Sequence, residues 1–322
     1  MCGYHHLSIG QREKLFKYSV EGYSQKLIAS LIGCSQSSVS RELSRNRGLD
    51  GEYSPSASQI HYEENRKKSV RKKVLESDEE LRHDVHFLLC YLYWSPEQIS
   101  NRFREENRGK GIGTSTIYRA FTNGALRDTM IYYLRIKHKR IGKAKKPKRS
   151  FITKTIYERP EAANNRERIG DWECDTVAGY CENYCVFTFV DRKSRYLLAA
   201  VSPTKEAAQF KRAALEQFCN IPKEHRISFT GDRGTELALM AEIEKELEIT
   251  AYFADPHAPW QKGTVENTNG LLRQFLPKRT KFDSLTQVTL NSMVAKLNNR
   301  PRKVLKWRTP YEVFTNQFMH FT

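Results

Sequence analysis

Apolar positions recur at helical spacing through the first part of the chain and cluster in short β-rich runs after residue 170, so helices are predicted first and a sheet later. Leu7, Leu15 and Val20 anchor a helix ending near Glu21, with Gly22 as its stop and Ser24 as the cap of a second helix, Gln25 to Leu31. Gly33 ends that helix, and Ser35 caps a third that runs to about Asn46. Ala29, Gly33 and Val39 then meet the needs of a helix-turn-helix: a small residue where two helices touch, a glycine for the positive φ of the turn, and an apolar residue that docks the second helix. Gln36, Ser37, Ser38, Arg41 and Arg45 are predicted to point outward from that second helix. Small polar side chains at the start of a recognition helix suit base edges, and arginines further along suit phosphates.

A second helical unit follows. Ser95, Pro96 and Glu97 read as a cap, a first-turn proline and a first-turn acid, and Ile99 and Phe103 continue the stripe. After the turn Gly109 to Gly113, another short helix carries Thr114, Ser115, Tyr118 and Arg119. A second helix-turn-helix with a long turn and a helical spacer both account for this stretch. Trp172 to Ala178, Tyr184 to Asp191 and Arg195 to Ser202 then read as an antiparallel meander. A helix (Thr204 to Phe218), a strand (Ile227 to Thr230), a helix (Thr235 to Glu248), a strand (Thr250 to Phe253) and two helices (about Gly263 to Phe275 and Ser284 to Asn299) complete the pattern. This order indicates a mixed sheet flanked by helices, compatible with a ribonuclease-H-like domain. The expected organisation is multidomain: an all-α helix-turn-helix region at 1–50, a second helical region at 51–130, a linker at 131–165, and an α/β ribonuclease-H-like domain at 166–322.

Charge narrows the function. The chain of 322 residues holds 54 Lys+Arg against 37 Asp+Glu, a formal charge of +17. Residues 1–150 carry 29 basic and 16 acidic side chains, whereas 151–322 carry 25 and 21, so most of the surplus lies in the helical half. A basic half joined to a nearly neutral one points to a polyanion-binding region, with nucleic acid ahead of acidic lipid. From Arg135 to Arg149, nine of fifteen residues are Lys or Arg and none is acidic, a linker expected to track phosphates. The longest nearly apolar run, Val85 to Trp94, has ten residues, against the roughly 20 that a membrane-crossing helix needs. The N-terminus lacks an export pattern, so a soluble, unexported, cytoplasmic protein is expected. The seven cysteines fall at no paired zinc spacing and read as reduced thiols.

Asp175 lies inside the first predicted strand among apolar neighbours, where a charge is costly without a partner. Asp232 follows a short strand in the turn Gly231-Asp232-Arg233-Gly234, and Glu266 falls in the first turns of the helix after Gly263. Three acids from separate elements can converge into the oxygen cluster that a hard divalent cation requires. Two Mg²⁺ ions in such a cluster stabilise the attacking and leaving oxygens of an in-line displacement at phosphorus, which explains acids in basic surroundings. Spacing alone leaves Asp171, Glu173 and Glu236 as alternatives, since the first two share a strand face with Asp175 and the third lies four residues beyond Asp232.

Three strings carry a resemblance: Gly170-Asp171-Trp172-Glu173-Cys174-Asp175-Thr176-Val177, Thr230-Gly231-Asp232-Arg233-Gly234-Thr235-Glu236-Leu237, and Asp255 through Pro259-Trp260-Gln261-Lys262-Gly263 to Glu266-Asn267. They resemble the three DDE signatures of the IS-thirty family of bacterial insertion-sequence transposases. Leu297-Asn298-Asn299-Arg300-Pro301-Arg302-Lys303, Thr309-Pro310-Tyr311-Glu312-Val313-Phe314 and the N-terminal helix-turn-helix are similar to the same family, over nearly the whole chain. The resemblance implies that Asp175, Asp232 and Glu266 are the catalytic, metal-binding triad, with 33 residues between the last two. It disfavours Asp171, Glu173 and Glu236. Two departures stand out: Cys174 where the family usually has glycine, and Asp171 where it often has histidine.

On the helix around Glu266, Val265, Thr268, Leu272 and Phe275 are predicted to pack on the sheet, leaving Glu266, Asn269 and Arg273 on the other side. Lys262, in the preceding loop, and Arg273 are candidate contacts to a bound strand; His257 reads as a loop hydrogen-bonding residue. The expected function is a transposase that binds the terminal inverted repeats of its own element, then cleaves and transfers strands with two Mg²⁺ ions, Mn²⁺ substituting. Its partners are double-stranded end and target DNA and at least a second copy of the chain. A repressor with a merely dimerising C-terminal domain leaves the three acids unexplained; a nuclease that cuts without joining is the nearer rival.

Overall fold

Ser8 opens the first helix with a reciprocal capping box to Gln11, and each of the next two helices is likewise opened by a serine hydroxyl. These are α1 (Ile9–Val20), α2 (Gln25–Ile32) and α3 (Gln36–Arg45), followed by α4 (Pro55–Ser69). Gly33 adopts φ +74°, the left-handed turn expected between α2 and α3. Leu15, Ile28, Ala29, Ile32, Val39 and Tyr53 form their core. A buried ion pair, Arg12 Nε to Glu42 at 2.7 Å, ties α1 to α3, and the Tyr53 hydroxyl donates to the same carboxylate. Gln36, Ser37, Arg41 and Arg45 remain exposed, and Ser38 is partly so.

The computed structural model describes residues 6–48, 51–69, 73–106, 111–123, 126, 154–180, 184–256 and 258–319. It divides into two units, Met1–Val74 and Leu75–Thr322. The expected boundary at residue 50 falls within the first unit, because α4 packs on α1. The basic linker 135–149 and His257 lie outside the described residues.

After the short α5 (Val74–Ser77), α6 (Glu79–Cys90), α7 (Pro96–Glu105) and α8 (Thr114–Asn123) enclose a core of Leu81, Val85, Leu88, Trp94, Ile99, Phe103 and Ile117. Ser95 and Pro96 open α7 as expected, and Gln98 completes the box. Beyond α9 (Glu161–Asn164) come β1 (Asp171–Ala178), β2 (Cys185–Asp191), β3 (Leu197–Ser202), α10 (Ala207–Phe218), β4 (Ser228–Gly231), α11 (Met240–Leu247), β5 (Thr250–Phe253), α12 (Gly263–Leu272), α13 (Gln287–Asn298) and α14 (Pro310–Thr315). The sheet order is β3-β2-β1-β4-β5, antiparallel among the first three strands and parallel from β1 to β4 and β5. One expected helix is shorter: Thr235–Leu237 forms a 3₁₀ turn and α11 begins only at Met240. That turn drops Leu237 onto Gly231, where a Cβ would meet the leucine at 2.3 Å.

Every residue of β2 is buried, because helices cover both faces of the sheet. On one face Trp172, Cys174, Phe187, Phe189 and Phe229 pack against α10 and α11. On the other, Val177, Val186, Val190 and Leu197 meet Val265 and Leu272 of α12 and Leu290 and Leu297 of α13. Alternation therefore sets Asp171, Glu173 and Asp175 on the α12 face, opposite Cys174. Cys174 fills the core, and burial pushes its thiol well above the ordinary range.

Arg102 of α7 is buried and donates bidentately to Glu312 of α14 at 2.9 and 2.5 Å, while Gln98 Nε2 donates to Pro301 O at 2.7 Å. Burial pushes the Glu312 carboxyl up, but Arg102 and the Thr309 and Met319 amides outweigh it, and the net displacement is downward. A depressed carboxyl contributes stability that is present above the unfolded value near pH 4.3 and lost as pH falls through the folded value. Glu312→Gln is expected to destabilise the Leu75–Thr322 unit by about 1–3 kcal/mol at pH 7, since it removes the bidentate charge partner of a buried guanidinium and leaves it Glu106. In thermal melts the gap to the native chain should close below about pH 4.

Candidate active site

Parallel pairing of β1 with β4 aligns Glu173 with Thr230. Continued two residues further, the same register brings Asp232, just past the carboxyl end of β4, level with Asp175 in the middle of β1. Ligand crevices of open α/β sheets occur where a parallel strand ends in this way. Glu266 arrives from the other direction, in the first turn of α12.

What fixes α12 is Glu173. Its Oε2 accepts from the backbone amides of Thr264 and Val265, both at 2.8 Å, and its other oxygen pairs with Arg192. No side chain of the helix caps its own start, so a carboxylate on β1 satisfies two of the free amides at the positive end of the dipole. Asp171 is committed elsewhere: it accepts from Arg168 at 2.9 Å and from Ser228 Oγ at 2.6 Å. Glu236 accepts from Thr176 Oγ1 at 3.2 Å.

Asp175 and Asp232 share one cation. Lys262 Nζ lies 3.5 Å from Asp175 Oδ1 and 3.2 Å from Asp232 Oδ2. Expected in a loop facing DNA, Lys262 instead ends a 3₁₀ turn, Pro259–Lys262, and is only 6% exposed. Burial lowers the proton affinity of its amine, yet the two aspartates outweigh burial and the net displacement is upward. Asn269, expected beside Glu266 on the outward side, is buried and donates from Nδ2 to Asp175 Oδ2 at 2.8 Å. Its Oδ1 is a buried oxygen without a hydrogen-bond partner. Glu266 is exposed, and its carboxyl is displaced upward by burial of its head group and then by the charge of Asp175. Arg273 donates to the carbonyls of Ala178 (2.8 Å) and Leu276 (3.3 Å).

Among the described residues no three His, Cys, Asp or Glu side chains already converge as a ligand set. The donors nonetheless suit a hard cation: carboxylate oxygens on β1 and just past β4 face a lysine ammonium, with a carboxylate and an unpartnered amide oxygen on the adjacent helix. Two features escaped the sequence reading, the Glu173 cap and the Asn269 bond. The spacing of three between Glu266 and Asn269 was the available signal for the second. Thr114 is half-buried at the start of α8, and Ser115, Tyr118 and Arg119 are exposed along it.

Fold and comparisons agree on the class. Residues 3–46 match a family model described as a helix-turn-helix domain, and 165–259 match the integrase core domain, so the protein is a DNA-binding polynucleotidyl transferase of the integrase-core class. The chain is 36% identical to the transposase InsI of insertion sequence element IS30A of Escherichia coli K12, across 96% of its own length and 83% of that protein. It is 33% identical to the transposase of IS1086 of Cupriavidus metallidurans (96% and 94% covered), and 36% identical to that of IS4351 of Bacteroides fragilis (90% of each). The chain belongs to the IS30 family of transposases. Among the described residues no helix is long and apolar enough to cross a membrane.

Glu173→Gln keeps the shape of the cap but removes the charge facing Arg192. It is expected to cost about 3–5 kcal/mol of stability in denaturant unfolding. Asp232→Asn, at a half-exposed side chain that can keep its bond from Gly234 N, should unfold within about 1 kcal/mol of the native chain.

Proposed function

We propose that this transposase binds the terminal inverted repeats of its own insertion sequence through α2 and α3, and cleaves and joins DNA strands at Asp175, Asp232 and Glu266. The observation that supports the reading is that Asp175 of β1 and Asp232 just past β4 face one buried lysine, with Glu266 in the first turn of α12 near enough to feel the charge of Asp175. Held by these carboxylates, two Mg²⁺ ions, with Mn²⁺ as a substitute, supply charge stabilisation to the attacking and leaving oxygens at phosphorus.

The protein's own groups provide positioning. Asn269 sets the rotamer of Asp175, Glu173 fixes the start of the helix that carries Glu266, and Gly234 N holds Asp232 Oδ1 at 3.1 Å. On α3, Gln36, Ser37 and Ser38 are presented to base edges, and Arg41 and Arg45 to phosphates. Thr114, Ser115, Tyr118 and Arg119 on α8 form a second candidate DNA contact. Two ends must be held together for transfer, so the working species is at least a dimer on DNA, acting at the bacterial chromosome in the cytoplasm.

The test is strand transfer by purified protein on linear DNA carrying the element's ends, with Mg²⁺ present or chelated. Asp232→Asn and Glu266→Gln should bind ends with native affinity while nicking and joining fall by a factor on the order of 10⁴. Nicking at the native rate by either variant overturns the assignment of that acid, and nicking by the native chain without joined product favours a nuclease. In the same binding assay Arg41→Ala should reduce the salt slope by about 0.9 if it removes one phosphate contact.

A further inference from the structure

Each aspartate at the site has one oxygen fastened to the protein and the other given to Lys262. Asp175 Oδ2 accepts from Asn269 at 2.8 Å, and Asp232 Oδ1 from Gly234 N at 3.1 Å. The two remaining oxygens, Asp175 Oδ1 and Asp232 Oδ2, face a single ammonium at 3.5 and 3.2 Å. These separations are longer than the 2.7–2.9 Å typical of charge-assisted bonds, in contrast with the 2.8 Å contacts that hold Asn269 and Glu173. The outer oxygens are thus held by neutral donors of the fold, and the inner pair by bonds from one charged lysine that are long for their kind.

We propose that Lys262 is a resident counter-cation of the metal-free site: it neutralises Asp175 and Asp232, keeps their inner oxygens aimed at one point, and is displaced when a divalent cation takes those oxygens. The inference rests on the metal-site reading above. Two carboxylates brought together beside a packed helix repel each other unless a cation lies between them, and Lys262 is the cation that faces both. The connection suits exchange. The four-carbon stem of lysine lets the ammonium swing while the 3₁₀ turn stays in place. Lys262 is a positioning residue in this scheme, and it competes with the metal as well as preparing its ligands. A divalent cation meets a fully open site only in the fraction of molecules whose lysine has withdrawn, and its apparent affinity is reduced by that fraction.

Mn²⁺ binding to the full chain without DNA tests this, with free Mn²⁺ counted by electron paramagnetic resonance. Lys262→Met, which keeps the stem and removes the charge, should bind Mn²⁺ at least about tenfold more tightly than the native chain, as a withdrawn state populated below a tenth requires. Its melting temperature should fall in EDTA and rise by more than the native increment on adding Mn²⁺. Lys262→Arg, which retains the cation, should not show the tighter binding. In the native chain, where no substitution can disturb folding, Mn²⁺ should increase labelling of the Lys262 amine by an amine-reactive reagent. Equal or weaker Mn²⁺ binding by Lys262→Met, or labelling unchanged by Mn²⁺, overturns the counter-cation and leaves the metal site standing. If the native chain and Lys262→Met both bind no more Mn²⁺ than Asp232→Asn does, the metal-site reading falls and the inference with it.

Discussion

The Glu173 carboxylate is the constraint on which the catalytic unit depends. One side chain on the central strand β1 caps α12 with one oxygen and pairs with Arg192 through the other. Strand and helix are also joined by apolar packing of Val265 and Leu272, which sets distance but is permissive about rotation and sliding, and further along by the bonds from Asn269 to Asp175 and from Arg273 to the Ala178 carbonyl. Two directed bonds to consecutive amides remove that freedom. Because Asp175 lies two residues along the strand and Glu266 one residue beyond the bonded amides, the cap fixes the relation of two of the three proposed catalytic acids.

Such a cap needs a charged floor beneath the sheet. Arg159, Arg192 and Arg195 are buried or largely so, near Asp171, Glu173 and Asp191. Burial first, and then neighbouring arginines, push Arg159 and Arg195 down to about 10, still far above neutrality, so both remain cationic. Burial displaces the Asp191 carboxyl upward against three hydrogen bonds, from Gly170 N and from the amide and hydroxyl of Ser194. Each of these charges is costly alone; together they hold the loops around β1 in one arrangement. The site above has the opposite character, with an exposed Glu266, a half-exposed Asp232 and a loosely paired lysine. Rigidity below and loosely paired charge above would suit the proposed centre, which has to admit both a cation and a DNA strand.

Much of this was readable from sequence where a local rule governs. Ser24, Gly33 and Ser35 specify caps and a left-handed turn within a few residues of themselves, and Thr250 to Phe253 forms the expected strand. The positions of Asp175, inside β1, and Asp232, just past β4, follow from the strands themselves. Partners were unreadable where they depend on register between distant segments. Nothing local distinguishes Glu173 from Asp175, two acids on the same face of one strand; only the arrival of α12 over the first makes it a cap. Lys262 reads as a loop cation until the turn before α12 carries it under the sheet edge. The helix from Thr235 failed for a related reason, since the space above Gly231 claims Leu237 and a continuous helix would not deliver it.

The C-terminal string Thr309-Pro310-Tyr311-Glu312 has a physical role that its distance from the acids conceals. Thr309 and Glu312 form the capping box of α14, and the same Glu312 carboxylate receives the bidentate guanidinium of Arg102. Local helix initiation and long-range docking therefore share one side chain, so α14 cannot be capped correctly without presenting the acceptor for α7. Gln98, which closes the box at the start of α7, reaches the Pro301 carbonyl in the same way. Two capping residues, one from each partner, thus join the α6–α8 helices to the segment that follows α13. A helix carrying exposed Ser115, Tyr118 and Arg119 is thereby held in one body with the sheet that bears Asp175 and Asp232, and DNA bound along α8 would be delivered to the acids in a fixed frame.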